Sequence, residues 1–223
     1  MKPLRSLEEV ISFVAAQNIK IGPVARKKLL HYEQLIRTWS RRQNLISQGD
    51  RNQLAEHHFL PSFFLLSRLK PESGQKLIDL GSGTGFPAVI LAIVFPQLAV
   101  TAIDSSRKKC LFLREVDEQL DLGMRIVHQR VEKFNRNNSG VFDHATSRAL
   151  AGIGDLWNWT RPMLKPFGRM IVLKGGDIRR EIELLEARRV RCKKYDVEPA
   201  WTDFSSYLTG KYLVELEMDN DPK

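Results

Sequence analysis

The stretch IDLGSGTGFPAVILAI, from Ile78 to Ile93, sets three glycines at alternate positions behind an acidic residue and ahead of an apolar run. A backbone this bare, directly after a short apolar segment, suits the turn where the first strand of an α/β sheet meets its crossover helix. There glycines let the chain approach a ligand and the next helix closely. The residues around it agree. KLIDL reads as a strand, PAVILAIVF as a helix, AVTAID as a strand, and SRKKCLFLREVDEQLD as a helix with Leu113, Val116 and Leu120 inward. MRIVHQ, a short helix near VEKF, strand FDHATS, helix IGDLWNWTRPML, strand RMIVLKG and helix DIRREIELLEARRV continue the alternation. Strand alternating with helix predicts a mostly parallel sheet covered on both faces. At the end KKYDVEPAW and KYLVELEM follow each other with no helix between them, which predicts a terminal antiparallel strand pair.

Ahead of the sheet the pattern is helical. Ser6 and Glu9 form a capping box before Leu7, Val10, Ile11 and Val14, and Gly22-Pro23 closes that helix. A second helix, roughly Val24 to Trp39, carries Leu29, Tyr32, Leu35, Ile36 and Trp39 on its apolar face, so Tyr32 and Trp39 are expected in the core. LAEHHFLPSFFLLSRL is a third helical run. These elements divide the chain into a helical N-terminal extension, 1–72, and a sheet domain, 73–223, packed as one unit within 223 residues.

Charge narrows the partners. The chain carries a formal +9, which draws it to polyanions, nucleic acid or an anionic membrane. Between Lys20 and Arg42 lie seven basic residues against one acid, Glu33, and Arg26, Lys27, Lys28, Arg41 and Arg42 are candidate phosphate contacts. The longest apolar run, AVILAIVF, is boxed in by Pro87 and Pro96, too short for a membrane span. Glu8 and Glu9 interrupt any leader-like segment, and two cysteines, Cys110 and Cys192, build no disulfide framework or metal site. A cytoplasmic protein without membrane or metal, acting as a monomer, is expected.

The loop discriminates among ligands. Phe86 occupies the slot of the third glycine of a dinucleotide fingerprint, and no Gly-Lys-Ser/Thr follows as in a phosphate-binding loop. The order Asp79-x-Gly81-x-Gly83-x-Gly85 resembles the first motif of Rossmann-like S-adenosylmethionine-dependent methyltransferases. Asp104 ends the second strand nineteen positions after Gly85, where an acid can accept from both ribose hydroxyls. TWSRRQNLIS and EHHFLPS before the loop, with IDSSRKKCLFLREV, RVEKF, FDHATSRALA and LKPFGRMIVLKG after it, resemble the bacterial small-subunit ribosomal RNA guanine-N7 methyltransferases, also called glucose-inhibited division protein B. The likeness spans nearly the whole chain. It implies a class I methyltransferase fold, S-adenosylmethionine as cofactor, and N7 of a guanine in 16S ribosomal RNA, or in the small ribosomal subunit, as acceptor. Carried over by motif, the cofactor residues are Gly81, Phe86, Val131, Glu132 and Arg148, joined by Asp79, Gly83, Gly85 and Asp104 from the loop reading.

Arg148 is expected either to donate to guanine O6 or to grip the cofactor carboxylate. Lys174 is a phosphate contact or a strand-end lysine. His57 and His58 are candidates for stacking on RNA bases, His58 foremost; as helix neighbours they are expected to point apart, which argues against a two-histidine metal site. The chain departs from the family where an Arg-His-x-x-Asp-Ser stretch becomes His57-His58-Phe59-Leu60-Pro61-Ser62, and at Ser40, Ile46, Ala88 and Ile90. Competing readings are a methyltransferase of the same fold acting on another RNA or a small molecule, and a non-catalytic RNA-binding assembly factor. A nicotinamide oxidoreductase is disfavoured by Phe86.

Overall fold

The computed structural model describes residues 5–218 except Asn44, Ala149 and the side chain of Gln48. Helix α1 (Leu7–Ala16) opens on the reciprocal cap: Glu9 N–H donates to Ser6 Oγ at 3.2 Å and Ser6 N–H to Glu9 Oε2 at 2.7 Å. Helix α2 (Pro23–Arg42) takes Pro23 in its first turn, where a missing N–H is harmless, and buries Leu29, Tyr32, Leu35 and Ile36. After the short α3 (Gln48–Asn52), the third helical run is not one α-helix. It starts as a π-turn, Ala55–Phe59, and becomes α4, Leu60–Arg68. Pro61 supplies the reason. It has no N–H to give the carbonyl four residues back, so that of His57 is released from the helical ladder.

The sheet follows as β1 (Lys76–Leu80), α5 (Ala88–Val94), β2 (Ala99–Asp104), α6 (Arg107–Leu120), β3 (Arg125–His128), α7 (Val131–Phe134), β4 (Phe142–Arg148), α8 (Ile153–Thr160), β5 (Leu164–Gly175), α9 (Arg179–Glu186), β6 (Val190–Asp196), α10 (Pro199–Phe204) and β7 (Lys211–Met218). Strand order is β3-β2-β1-β4-β5-β7-β6. The first five strands run parallel, while β7 pairs antiparallel with β5 and with β6, as the tail pattern predicts. The chain winds outward from β1 through β2 to β3, then returns to β4 on the other side. That reversal opens a crevice at the carboxyl ends of β1 and β4.

Alternate residues of β1 feed two apolar layers. Leu77 joins α1, α2, α4, α5 and α6 on one face, and Ile78 and Leu80 join α7, α8 and α9 on the other. Tyr32 is fully buried, as expected of a core residue, whereas Trp39 is half-buried at the core's margin, edge-on to Phe112 at 5.5 Å.

Two expectations are corrected here. A helix does separate the last two strands: α10 forms because Trp201 buries itself against Phe13 and Phe64, at 5.2 and 5.1 Å between ring centroids. Strand β5 begins earlier than RMIVLKG, taking in Pro166 and an exposed Phe167 whose φ is 63°. Among the described residues no helix is long and apolar enough to cross a membrane, and no three His, Cys, Asp or Glu side chains gather as metal ligands.

Candidate active site

The glycine loop between β1 and α5 is pinned from three directions. Gly83 N–H donates to Asp104 Oδ2 at 2.9 Å, Ser82 N–H to the Ile103 carbonyl at 3.0 Å, and the Tyr32 hydroxyl to the Thr84 carbonyl at 2.5 Å. The last bond joins α2 to the loop from inside the core, where burial drives the phenol pKa well above its ordinary value. Gly85 has no alternative: its φ is +99°, and a Cβ there would stand 2.4 Å from Val89 Cγ2. Gly83 also has positive φ, yet a Cβ would meet nothing closer than 3.8 Å. The bareness of Gly85 serves packing; that of Gly83 faces open space.

Two cavities adjoin the loop. The smaller, about 190 Å³, lies between Gly81, Asp104, Val131 and Glu132, with Leu150 and Trp159 opposite. The larger, about 640 Å³, extends from Gly83, Phe86 and Arg148 towards Asp50, His57 and His58. Gly81, Asp104, Ser105 and Leu150 border both, so the two are one groove along the carboxyl ends of the central strands. Asp104 is 7% exposed and each of its oxygens takes one backbone N–H, from Gly83 and from Ser106 at 2.8 Å. A carboxylate oxygen has further acceptor capacity, so Asp104 can take ribose hydroxyls while holding the loop.

The structure brings Gly81, Gly83, Phe86, Asp104, Val131, Glu132, Arg148, His58 and Lys174 to this groove; it places Asp79 and Gly85 beneath it. The Asp79 carboxyl is wholly buried, accepts from Thr146 Oγ1 at 3.0 Å, and has no partner on its second oxygen among the described residues. Burial pushes it up to about 7. Phe86 is an apolar wall turned inward, with ring centroids 5.3 Å from Tyr32 and 5.0 Å from Phe59.

Arg148 faces the N-terminal extension. Its Nη1 donates to the carbonyls of His57 at 3.2 Å and His58 at 3.3 Å, and its Nη2 to His58 Nδ1 at 2.8 Å. The guanidinium thus occupies the carbonyl that Pro61 leaves open, 5.4 Å above the Phe86 ring. His57 and His58 do not point apart, as a regular helix predicts. The widened π-turn and the arginine beneath it turn both towards the larger cavity, where His57 donates from Nδ1 to Asp50 Oδ1 at 2.8 Å and stacks on Tyr207 at 4.0 Å. Burial, then the Arg148 charge, lower the His58 pKa to about 3.

Tyr207 and Lys211 close the far wall, the lysine 3.9 Å above the tyrosine ring. Neither carries a sequence signal, because each reaches the site only through the fold of the tail. The basic candidates divide. Arg26 pairs with Glu8 at 2.6 Å, and Lys28 donates to the Asp121 carbonyl at 3.0 Å. Lys174 donates to the carbonyl of Ala151 at the rim. Lys27, Arg41 and Arg42 are exposed, the latter two at the end of α2 leading to Leu45 and Ile46 on the larger cavity.

A family model described as rRNA small subunit methyltransferase G matches residues 25–201. The chain is 34% identical over 192 residues to the ribosomal RNA small subunit methyltransferase G of Streptococcus pneumoniae, covering 84% of this chain and 78% of that protein. With the protein of the same name from Caldanaerobacter subterraneus it shares 28% over 215 residues, 95% of this chain and 90% of the other. Solved structures share the fold: an S-adenosylmethionine-dependent methyltransferase from Aquifex aeolicus at TM-score 0.55, with 16% identity over 70% of this chain and 88% of that one. A precorrin-6y C5,15-methyltransferase from Geobacter metallireducens gives TM-score 0.52 at 14% identity, over 70% of this chain and 87% of that one.

Proposed function

The chain belongs to the rRNA small subunit methyltransferase G family and is an S-adenosylmethionine-dependent methyltransferase; on that premise we propose that it methylates N7 of a guanine in 16S ribosomal RNA. The observation that carries this reading is the shared wall of the two cavities at Gly81 and Asp104. A nucleoside in the smaller cavity and a base in the larger one meet there.

The groove fits the cofactor. Asp104 is a buried carboxylate with acceptor capacity at the end of β2, Gly83 leaves open space above the loop, and Val131 with Glu132 would frame the adenine. Bound there, S-adenosylmethionine would supply an electrophilic methyl group whose bond to sulfur breaks to leave a neutral thioether, and a guanine N7 lone pair needs no prior loss of a proton to accept it. The protein therefore has no base to provide. Its part is alignment, which in well-oriented sites supplies roughly 7–11 kcal/mol. The His57–Tyr207 stack and Phe86 fix the width of the larger cavity, and the turn held by Arg148 closes it on the side of the extension.

We assign the exposed Arg41, Arg42 and Lys27 to contacts with RNA phosphates, so binding is expected to weaken steeply with salt. The substrate is naked RNA or the small subunit, met in the cytoplasm by a monomer.

Incubation with methyl-labelled S-adenosylmethionine and small subunits lacking the modification, followed by nucleoside mass spectrometry, tests the reading. Labelled 7-methylguanosine in the 16S RNA is expected. Label confined to another nucleoside, or none despite cofactor binding, contradicts it.

A further inference from the structure

Arg148 has only hydrogens to offer, so His58 Nδ1, which receives one of them at 2.8 Å, must present a lone pair. That assigns the tautomer: His58 is a neutral imidazole with its proton on Nε2. This N–H is buried without a hydrogen-bond partner among the described residues, with Asp50 Oδ1 4.0 Å away. Buried donors are normally satisfied, and because His58 lines the larger cavity, this one calls for an acceptor from outside the protein. Asp50 is held away from it by Ser47, at 2.6 Å, and by His57.

Guanine carries two acceptors side by side, N7 and O6, whereas adenine sets an amino group beside N7. We infer that His58 distinguishes guanine from adenine by donating its Nε2–H to O6 of the target base, with Arg148 as the positioning residue that fixes the tautomer. This rests on guanine N7 as the acceptor. Two adjoining donors would face each other if adenine entered. A neutral donor also suits this chemistry better than a cation, because it neither protonates the N7 lone pair nor repels the ring as that ring becomes positively charged.

The test uses synthetic RNAs spanning the methylated site, with guanosine, inosine or 2-aminopurine riboside at the target; inosine keeps O6 and 2-aminopurine lacks it. The parent protein is expected to methylate the 2-aminopurine RNA on the order of 10²-fold more slowly than the other two. His58→Asn keeps an acceptor for Arg148 but has no distal donor. It is expected to lose about that factor on guanosine and inosine and to lose little on 2-aminopurine. His58→Gln, whose amide nitrogen reaches towards the position of Nε2, should recover part of the loss. Cofactor affinity and melting temperature of both variants report folding. Independently, two-bond proton–nitrogen correlation on histidine-labelled protein should show Nε2 protonated and Nδ1 bare. Equal losses on all three RNAs, or parent rates that ignore O6, overturn the inference while guanine methylation stands. A parent protein that labels no guanine N7 removes the proposed function, and this inference with it.

Discussion

The two walls of the groove are built in different ways. The wall proposed for the cofactor is anchored on one short piece of chain, Gly81 to Phe86, backed by Asp104, and the geometry of that piece comes from backbone amides and positive φ angles. The opposite wall is assembled from Asp50, the π-turn at His57 and His58, Arg148, Tyr207 and Lys211, side chains separated by up to about 160 residues. A wall made of consecutive residues tolerates little change of side chain and is held by a few bonds to its backbone, among them that of Tyr32. A wall made of distant side chains depends on a few clamps, of which Arg148 is the plainest.

This contrast breaks most visibly at Gly85. Gly85→Ala places a methyl group 2.4 Å from Val89 Cγ2 at φ +99°, and is expected to cost about 3 kcal/mol or more, read as a lowered urea midpoint. Gly83→Ala meets no such obstacle, so its cost is closer to 1 kcal/mol and its main effect should be weakened cofactor binding by calorimetry. If the two variants unfold alike, the loop is not divided between packing and ligand as described.

Next in size is Tyr32→Phe. It strands the buried Thr84 carbonyl, with an expected loss of about 1–3 kcal/mol in chemical denaturation. Comparable in size is a change in pH profile. Asp79, raised from 3.8 to about 7, stabilises the fold fully below its unfolded pKa and loses that contribution as pH rises towards 7. His58 and His144, lowered from 6.5 to about 3 and about 4, do the reverse: their contribution is lost as pH falls below 6.5. The two slopes oppose each other between roughly pH 4 and 6.5. Asp79→Asn removes the falling one, so stability of the variant should rise with pH across that window more steeply than in the parent. The smallest effect is a gain. Phe167, 82% exposed at φ 63°, gives up a strained backbone when replaced by glycine, and Phe167→Gly should raise stability by about 0.5–1 kcal/mol in thermal unfolding.

The same contrast explains what could be read from the sequence. Alternating strands and helices, the antiparallel tail and the loop with Asp104 are local patterns with fixed spacing, so their geometry follows from neighbours along the chain. Helix α10 does not, since Trp201 becomes helical to reach Phe13 and Phe64. Nor does the π-turn. Pro61 frees the His57 carbonyl, but its new partner arrives from Arg148, 91 residues away. Helical periodicity therefore separated two histidines that the fold turns to one cavity. The basic face of α2 was legible as charge, whereas the ties of Arg26 to Glu8 and Lys28 to Asp121 depend on how α2 lies against α1 and α6.

The division of the groove into a cofactor wall and an acceptor wall is tested most directly by Arg148→Lys, with cofactor affinity from calorimetry and single-turnover methyl transfer to RNA measured on the same preparation. A lysine cannot reproduce contacts from two guanidinium nitrogens to the turn. With Arg148 holding the acceptor wall, the dissociation constant stays within about twofold while the saturating rate falls on the order of 10²-fold. A dissociation constant weakened about tenfold or more, with the saturating rate unchanged, assigns Arg148 to the cofactor carboxylate and contradicts the division.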